Sequence, residues 1–190
     1  MLSGMPHAAS SRADIFCDRH PADAYLFEIH LYGQPEQLLH FLPDAQGMRK
    51  LIILSGHGGN NFKGMIRDLA FVYPDFLIIA ADWFSIVPPK DYFEAVVDDH
   101  AGESETSVMM HYHPELVNLA EAGDGESQPF AIPSLNEKVG WAPRHWNKAT
   151  VDSGVGNPKK ASAEKGERYM KPVVEKLSKL FTEVGQGSLY

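Results

Sequence analysis

Three residues in this sequence have the types and settings that chemistry requires: His57, His100 and Glu105. His57 sits in LIILSGHGGNNF (51–62), where four apolar residues run into a turn containing three glycines. A buried strand that ends in such a turn delivers its loop to the carboxyl edge of an α/β sheet, where ligands bind. The glycines allow tight turning or close approach to a ligand. A plain glycine turn with His57 as a solvated passenger fits the same residues, and the residues alone leave both readings open. The turn lacks both G-x-x-x-x-G-K-[ST] and G-x-G-x-x-G, which argues against a nucleotide phosphate site.

His100 and Glu105 lie in DDHAGESETSVMMHYHPE (98–115). On a helix opening near Gly102, Glu105, Val108, Met109, Tyr112 and Leu116 share one face. A carboxylate on that apolar stripe must be neutralised, paired with a cation or bound to a metal, because an unpaired buried charge costs several kcal/mol. Glu103 is expected to point away into solvent near the helix N-terminus. His100, just before the helix, can reach a site at the sheet edge, or it or Asp99 can simply cap the helix. His111 and His113 would splay about 200° apart on a helix, so they are expected at the surface or in packing. Met109 and Met110 are expected in the core.

The elements that position these residues follow from hydrophobic period. Residues 51–54 read as a strand covered on both faces. Phe62, Met65, Ile66, Leu69, Ala70 and Tyr73 form one helical stripe, which Pro74 closes. FLIIAADW (76–83) is a second strand, and a strand–helix–strand order of this length implies parallel pairing. A helix is expected to run through ESETSVMMHYHPELV, and another to carry Met170, Val173, Val174, Leu177, Leu180, Phe181 and Val184. Residues 120–150 read as loop. Trp83, Trp141 and Trp146 are expected as core anchors, with a pocket wall as the competing role.

Three stretches together, GMRKLIILSGHGGNNF, DDHAGESETSVMMHYHPELV and DSGVGNPKKASAEKGERY, resemble the creatininase (creatinine amidohydrolase) family. The resemblance implies a three-layer α/β/α sandwich with a mostly parallel sheet. It also implies a site of two divalent metal ions, zinc or manganese, acting on a small-molecule amide, often cyclic or formylated, in a homo-oligomer such as a hexamer. By position, His57 matches a metal-ligating histidine, Glu105 a metal-ligating glutamate and His100 the acid/base histidine. Two ions roughly 3.5–4 Å apart can polarise an amide and generate hydroxide near neutral pH, and a histidine can protonate the departing nitrogen. Creatinine-hydrolysing members carry G-H-x-E-N in the turn. Gly59 stands where they have glutamate, which points away from creatinine as substrate.

The family's amino-terminal pattern E-x-H-G-x-H-L-P-x-x-T-D is not matched. Glu28 and His30 reproduce only E-x-H, and His30 precedes His57 by 27 residues, too few for the intervening helix and strands. Residues 1–45 therefore read as an atypical lead-in to a creatininase-like domain at 46–190. Two expectations stand together: an amidohydrolase whose missing ligands come from residues 1–45 or a neighbouring subunit, or a truncated, non-catalytic member that is a binding subunit or an inert product.

Composition agrees with the first-order picture. The 190 residues suit one domain of ordinary size. Lys+Arg 17 against Asp+Glu 25 gives a net charge of −8, which disfavours nucleic acid and anionic membrane as partners. The lone cysteine, Cys17, suits a reducing compartment. No apolar run approaches the roughly 18 residues of a membrane span, so a cytoplasmic location is expected.

Overall fold

The computed structural model describes residues 49–188 together with the backbone of two short strands, Cys17–Arg19 and Tyr25–Phe27. Glu28, His30 and the expected boundary at residue 45 lie outside the described residues. The chain divides into two compact units, one comprising residues 1–86 and 177–190, the other residues 87–176.

The first unit holds a four-stranded sheet in the order β1 (Cys17–Arg19), β2 (Tyr25–Phe27), β3 (Lys50–Ser55), β4 (Leu77–Asp82). β2, β3 and β4 are parallel and β1 is antiparallel to β2. The pairing of β3 with β4 runs from Lys50 opposite Leu77 to Ser55 opposite Asp82. Helix α1 (Lys63–Val72) makes the crossover, as the apolar stripe requires. Its Leu69 packs on Leu51, Ile53 and Ile78, with Phe62, Met65 and Ile66 closing the edge of this cluster. The residues expected to form strand, helix and strand do so, and the α/β class with a mostly parallel sheet is what the chain adopts.

In the second unit, β5 (Asp98–His100) pairs antiparallel with β6 (Val155–Gly156). Helix α2 (Glu103–Tyr112) follows β5 directly. It is shorter than expected. Pro114 excludes the helical conformation at His113, which adopts φ −142°, and a single 3₁₀ turn continues to Leu116. Between residues 117 and 150 only two four-residue helices interrupt irregular chain, α3 (Pro133–Asn136) and α4 (Trp146–Ala149).

The carboxyl-terminal helix α5 (Ala163–Gln186) is longer than its apolar stripe suggested. Tyr169 and Val173 are its buried contribution to the second unit. The Tyr169 ring meets Tyr92 and Phe93 edge-on at 5.4 and 5.1 Å, and its hydroxyl donates to Val87 O at 3.2 Å. In the first unit the Lys50 ammonium donates to the carbonyls of Val184 and Gly187, each at 2.6 Å, so a side chain from β3 satisfies acceptors that the end of α5 leaves orphaned.

Candidate functional site

Several hydrogen bonds converge on the junction of β5 and α2. Gly102 starts the helix, and the Asp98 carboxylate accepts from the Ser104 backbone N–H at 3.0 Å, so Asp98 caps the helix in place of the expected Asp99 or His100. His100 ends the strand. Ala101 follows with φ +49°, a left-handed conformation that costs a non-glycine residue about 1–2 kcal/mol. The Glu105 carboxylate reaches back and accepts from the Ala101 N–H at 2.6 Å. The same oxygen lies 3.8 Å from His100 Nδ1, and both side chains are about 30% exposed, at 28% and 31%. Strain beside two titratable groups is the kind of outlier from which function is inferred.

Glu103 corrects the sequence expectation. It is wholly buried, at 0% exposure, and not solvated. One carboxylate oxygen accepts from the Glu94 and Ala95 backbone N–H groups at 2.9 and 2.7 Å, and the other from the Lys165 ammonium. Lys165 also donates to Glu94 and to Lys160 O, and Lys160 pairs with Glu94 at 2.8 Å. Two lysines hold the Glu94 carboxyl down at about 2, from an ordinary 4.5, chiefly through the Lys160 hydrogen bond and then that of Lys165. Lys165 is raised above its ordinary 10.5, chiefly by its bond to Glu103.

The expected apolar face of α2 is correspondingly open: Met109 is 39% and Leu116 69% exposed, so Met109 is not core. The buried face is instead Glu103 with Ser107, four residues on. Ser107 donates to Glu103 O and accepts from Ser162 N. Gly166 lets α5 approach there, since a Cβ would fall 2.1 Å from Ser107 O. Periodicity could not find this face because the helix packs through a buried ion pair and a glycine contact in place of an apolar stripe. His111 is half-buried and His113 exposed beside Glu115, 3.3 Å away, as expected.

Trp141 is 86% exposed and is no core anchor. Trp146, 37% exposed, brings its ring to 5.1 Å from that of His100 at 54°. Beside Glu105, a cavity of about 380 Å³ opens between α2 and two loops, lined by Thr106, Met109, Leu116, Asp152 and Pro158 among others. Its loops interlock where Gly156 N–H donates to Gly125 O at 3.0 Å, with φ of +122° and +69° at these glycines. Among the described residues no lysine, arginine or histidine lines it, so it suits neutral or cationic groups.

His57 belongs to the first unit and is exposed. Its carbonyl accepts from Ser55 Oγ and Asn60 N, and Trp83 Nε1 donates to Gly56 O at 3.3 Å. The imidazole Nδ1 accepts from the Gly59 N–H at 2.9 Å. In that contact Nδ1 is the acceptor, whereas a histidine ligating through Nε2 carries its proton on Nδ1. Among the described residues no group of three or more His, Cys, Asp or Glu gathers to hold a metal ion. The described residues therefore do not by themselves fit a complete metal centre.

The family model for creatinine amidohydrolase, Creatininase, matches residues 43–181. The chain belongs to the creatininase family. It is 32% identical over 131 residues to the mycofactocin precursor peptide peptidase of Mycobacterium ulcerans (strain Agy99), a match that takes in 66% of this chain and 45% of the relative. The chain thus spans about half the length of the curated relatives it matches. A Bacteroides fragilis NCTC 9343 protein, provisionally named a creatinine amidohydrolase, has a crystal structure with 74% identity and a TM-score of 0.80, covering 85% of this chain and 66% of that one. More distant creatininases share the fold: a zinc–zinc form at 22% identity and TM-score 0.60, covering 80% of this chain and 62% of its own, and a manganese form at 21% and 0.57, with the same coverage. Among the described residues no helix is long and apolar enough to cross a membrane.

Proposed function

We propose that this creatininase-family chain hydrolyses a C–N amide bond with water, His100 handing a proton to the departing nitrogen. The convergence of His100 and Glu105 at the strained β5–α2 junction carries the reading. An amide nitrogen leaves poorly unless protonated, and a histidine is the side chain best matched to that transfer near neutral pH. Small cyclic or formylated amides and short peptides, the latter suggested by the mycobacterial relative, share the scissile bond. Creatinine is disfavoured by Gly59. Metal ligation by His57 and Glu105, with zinc or manganese as in the solved creatininases, belongs to the same proposal, as do a homo-oligomeric assembly up to a hexamer and a cytoplasmic location. His57 serves as a ligand through Nε2 only after its ring leaves the Gly59 N–H.

The test is turnover of a panel of cyclic amides, N-formyl compounds and short peptides, with and without added Zn²⁺ or Mn²⁺. Hydrolysis that falls about 100-fold or more in His100→Gln and responds to metal in the wild type but not in Glu105→Gln supports the reading. Turnover unaffected by His100→Gln, or none by a folded chain, sinks it. A second reading, a non-catalytic binding subunit, is favoured by the engagement of His57 Nδ1 with the Gly59 N–H. Tight binding of a panel member without turnover would select it.

A further inference from the structure

The cavity beside Glu105 lies within the second unit, and its wall is divided by chemistry. Glu105 and Met109 stand four residues apart on one face of α2, and Leu116 adds a second large apolar side chain beyond the end of the helix. Both apolar side chains are exposed, so the surface beside the Glu105 carboxylate is left open to a ligand. The loops contribute Asp152. Its Oδ1 accepts from the Gly154 N–H at 3.0 Å, and Gly123 leaves room for the other oxygen, since a Cβ there would fall 2.3 Å from Oδ2.

A volume of about 380 Å³ is that of a small-ligand site, which typically spans roughly 300–1,000 Å³ and joins an apolar wall to a few placed polar groups. Glu105 ties the cavity to the reacting centre, because its carboxylate lies 3.8 Å from His100 Nδ1. An amide cleaved there therefore shares the cavity with Met109, Leu116 and Asp152. Charge narrows the choice further. Two carboxylates border the space and, among the described residues, no cation lines it, so an anionic group meets like charge and an ammonium meets acceptors of opposite charge.

We propose that this cavity holds the non-reacting part of the substrate and takes a compact apolar group bearing an ammonium, as in an amino-acid amide with a free α-amino group. Asp152 is the specificity-determining residue, and the inference rests on amide hydrolysis at His100. In that reaction water gives its hydroxyl to the acyl carbon and its proton to the departing nitrogen, so leucinamide yields leucine and ammonia.

Binding decides the proposal independently of turnover. Leucinamide, N-acetylleucinamide and N-succinylleucinamide carry positive, neutral and negative charge on one scaffold at about pH 6.5, below the α-amino range of about 7.7–8.0. Calorimetric titration of the wild type should show leucinamide binding roughly fivefold or more tighter than N-succinylleucinamide. Asp152→Asn keeps the acceptor for Gly154 and changes only the charge, so it should remove most of that spread, and Asp152→Lys should reverse it. Met109→Ala should weaken leucinamide several-fold while leaving glycinamide unchanged. Equal binding of the cationic and anionic probes, a spread untouched by Asp152→Asn, or no binding of any probe overturns the proposal. Where the wild type turns these amides over, kcat/KM should follow the same order. Binding in that order without turnover defeats the hydrolase reading alone and leaves the cavity as an ammonium-selective site.

Discussion

The glycine turn around His57 and the β5–α2 junction around Glu103 both present polar side chains that the sequence marks for attention, yet they are built in opposite ways. In the turn, the functional candidate is exposed and its ring nitrogen is used locally, accepting from Gly59 two residues away. In the junction, the buried carboxylate is met by backbone N–H groups eight and nine residues back and by a lysine 62 residues onward. A motif written in one stretch specifies only a local turn. A site assembled from distant segments carries its own electrostatic frame, and there the histidine and carboxylate are presented on something rigid.

Breaking the frame at its centre should have the largest effect. Glu103→Ala leaves two buried backbone donors without an acceptor and takes from the Lys165 ammonium one of its two carboxylate partners, and should cost about 3–5 kcal/mol in urea unfolding. Glu103→Gln keeps the shape and one acceptor and should cost less. A loss under about 1 kcal/mol for the alanine variant would erase the contrast between the two regions.

The pH dependence of stability sharpens it next. Glu94 is depressed from 4.5 to about 2, so its pairs stabilise the fold above pH 4.5, and this contribution is lost as pH falls toward 2. Lys165 is raised, so its contribution is complete below 10.5 and is lost as pH climbs through its elevated value. Thermal melts from pH 2 to 5 should show a shallower acid limb in Glu94→Gln than in the wild type. Identical limbs would remove Glu94 from the frame.

In the turn, His57→Ala should change stability by no more than about 0.5 kcal/mol, as surface substitutions do. A larger loss would mean that the turn, like the junction, is tied into the stability of the fold. Smallest of all, Ala101→Gly relieves left-handed strain of about 1–2 kcal/mol against an unfolded-chain entropy cost of about 0.4–1 kcal/mol, opposing effects that leave a small net change. Its melting temperature should stay close to that of the wild type. A rise of several degrees would show that the strain outweighs the entropy.

Strand β3, helix α1 and strand β4 were legible because apolar period alone builds them: Leu51, Ile53, Leu69 and Ile78 meet as their spacing demands. His100 and Glu105 were each marked singly by residue type and setting, and the structure brings the Glu105 carboxylate to 3.8 Å from His100 Nδ1 across one strand–helix junction. Glu103 and Glu105 exchanged the environments expected of them. Burial of Glu103 depends on Lys165 and on close approach at Gly166, and neither leaves a mark on the spacing of α2. The Arg144–Asp99 pair and the ring of Trp146 against His100 were hidden for the same reason, since 45 residues separate the charged partners. One local cue for Glu103 did exist: a carboxylate at the first position of a helix, with Asp98 already available as the cap, is free to turn inward.

The Glu103–Lys165 contact also governs how this sequence can drift. Removing Lys165 alone leaves the buried Glu103 carboxylate without its cation, and removing Glu103 alone leaves two backbone donors without their acceptor, whereas an apolar pair of matching volume is often tolerated. The two positions can therefore be exchanged together far more readily than one at a time, and any lineage crossing from the ionic to the apolar solution must pass through a poorly folding intermediate or change both codons at once. A library that randomises both positions jointly would recover solutions that single-site scanning of either one would miss.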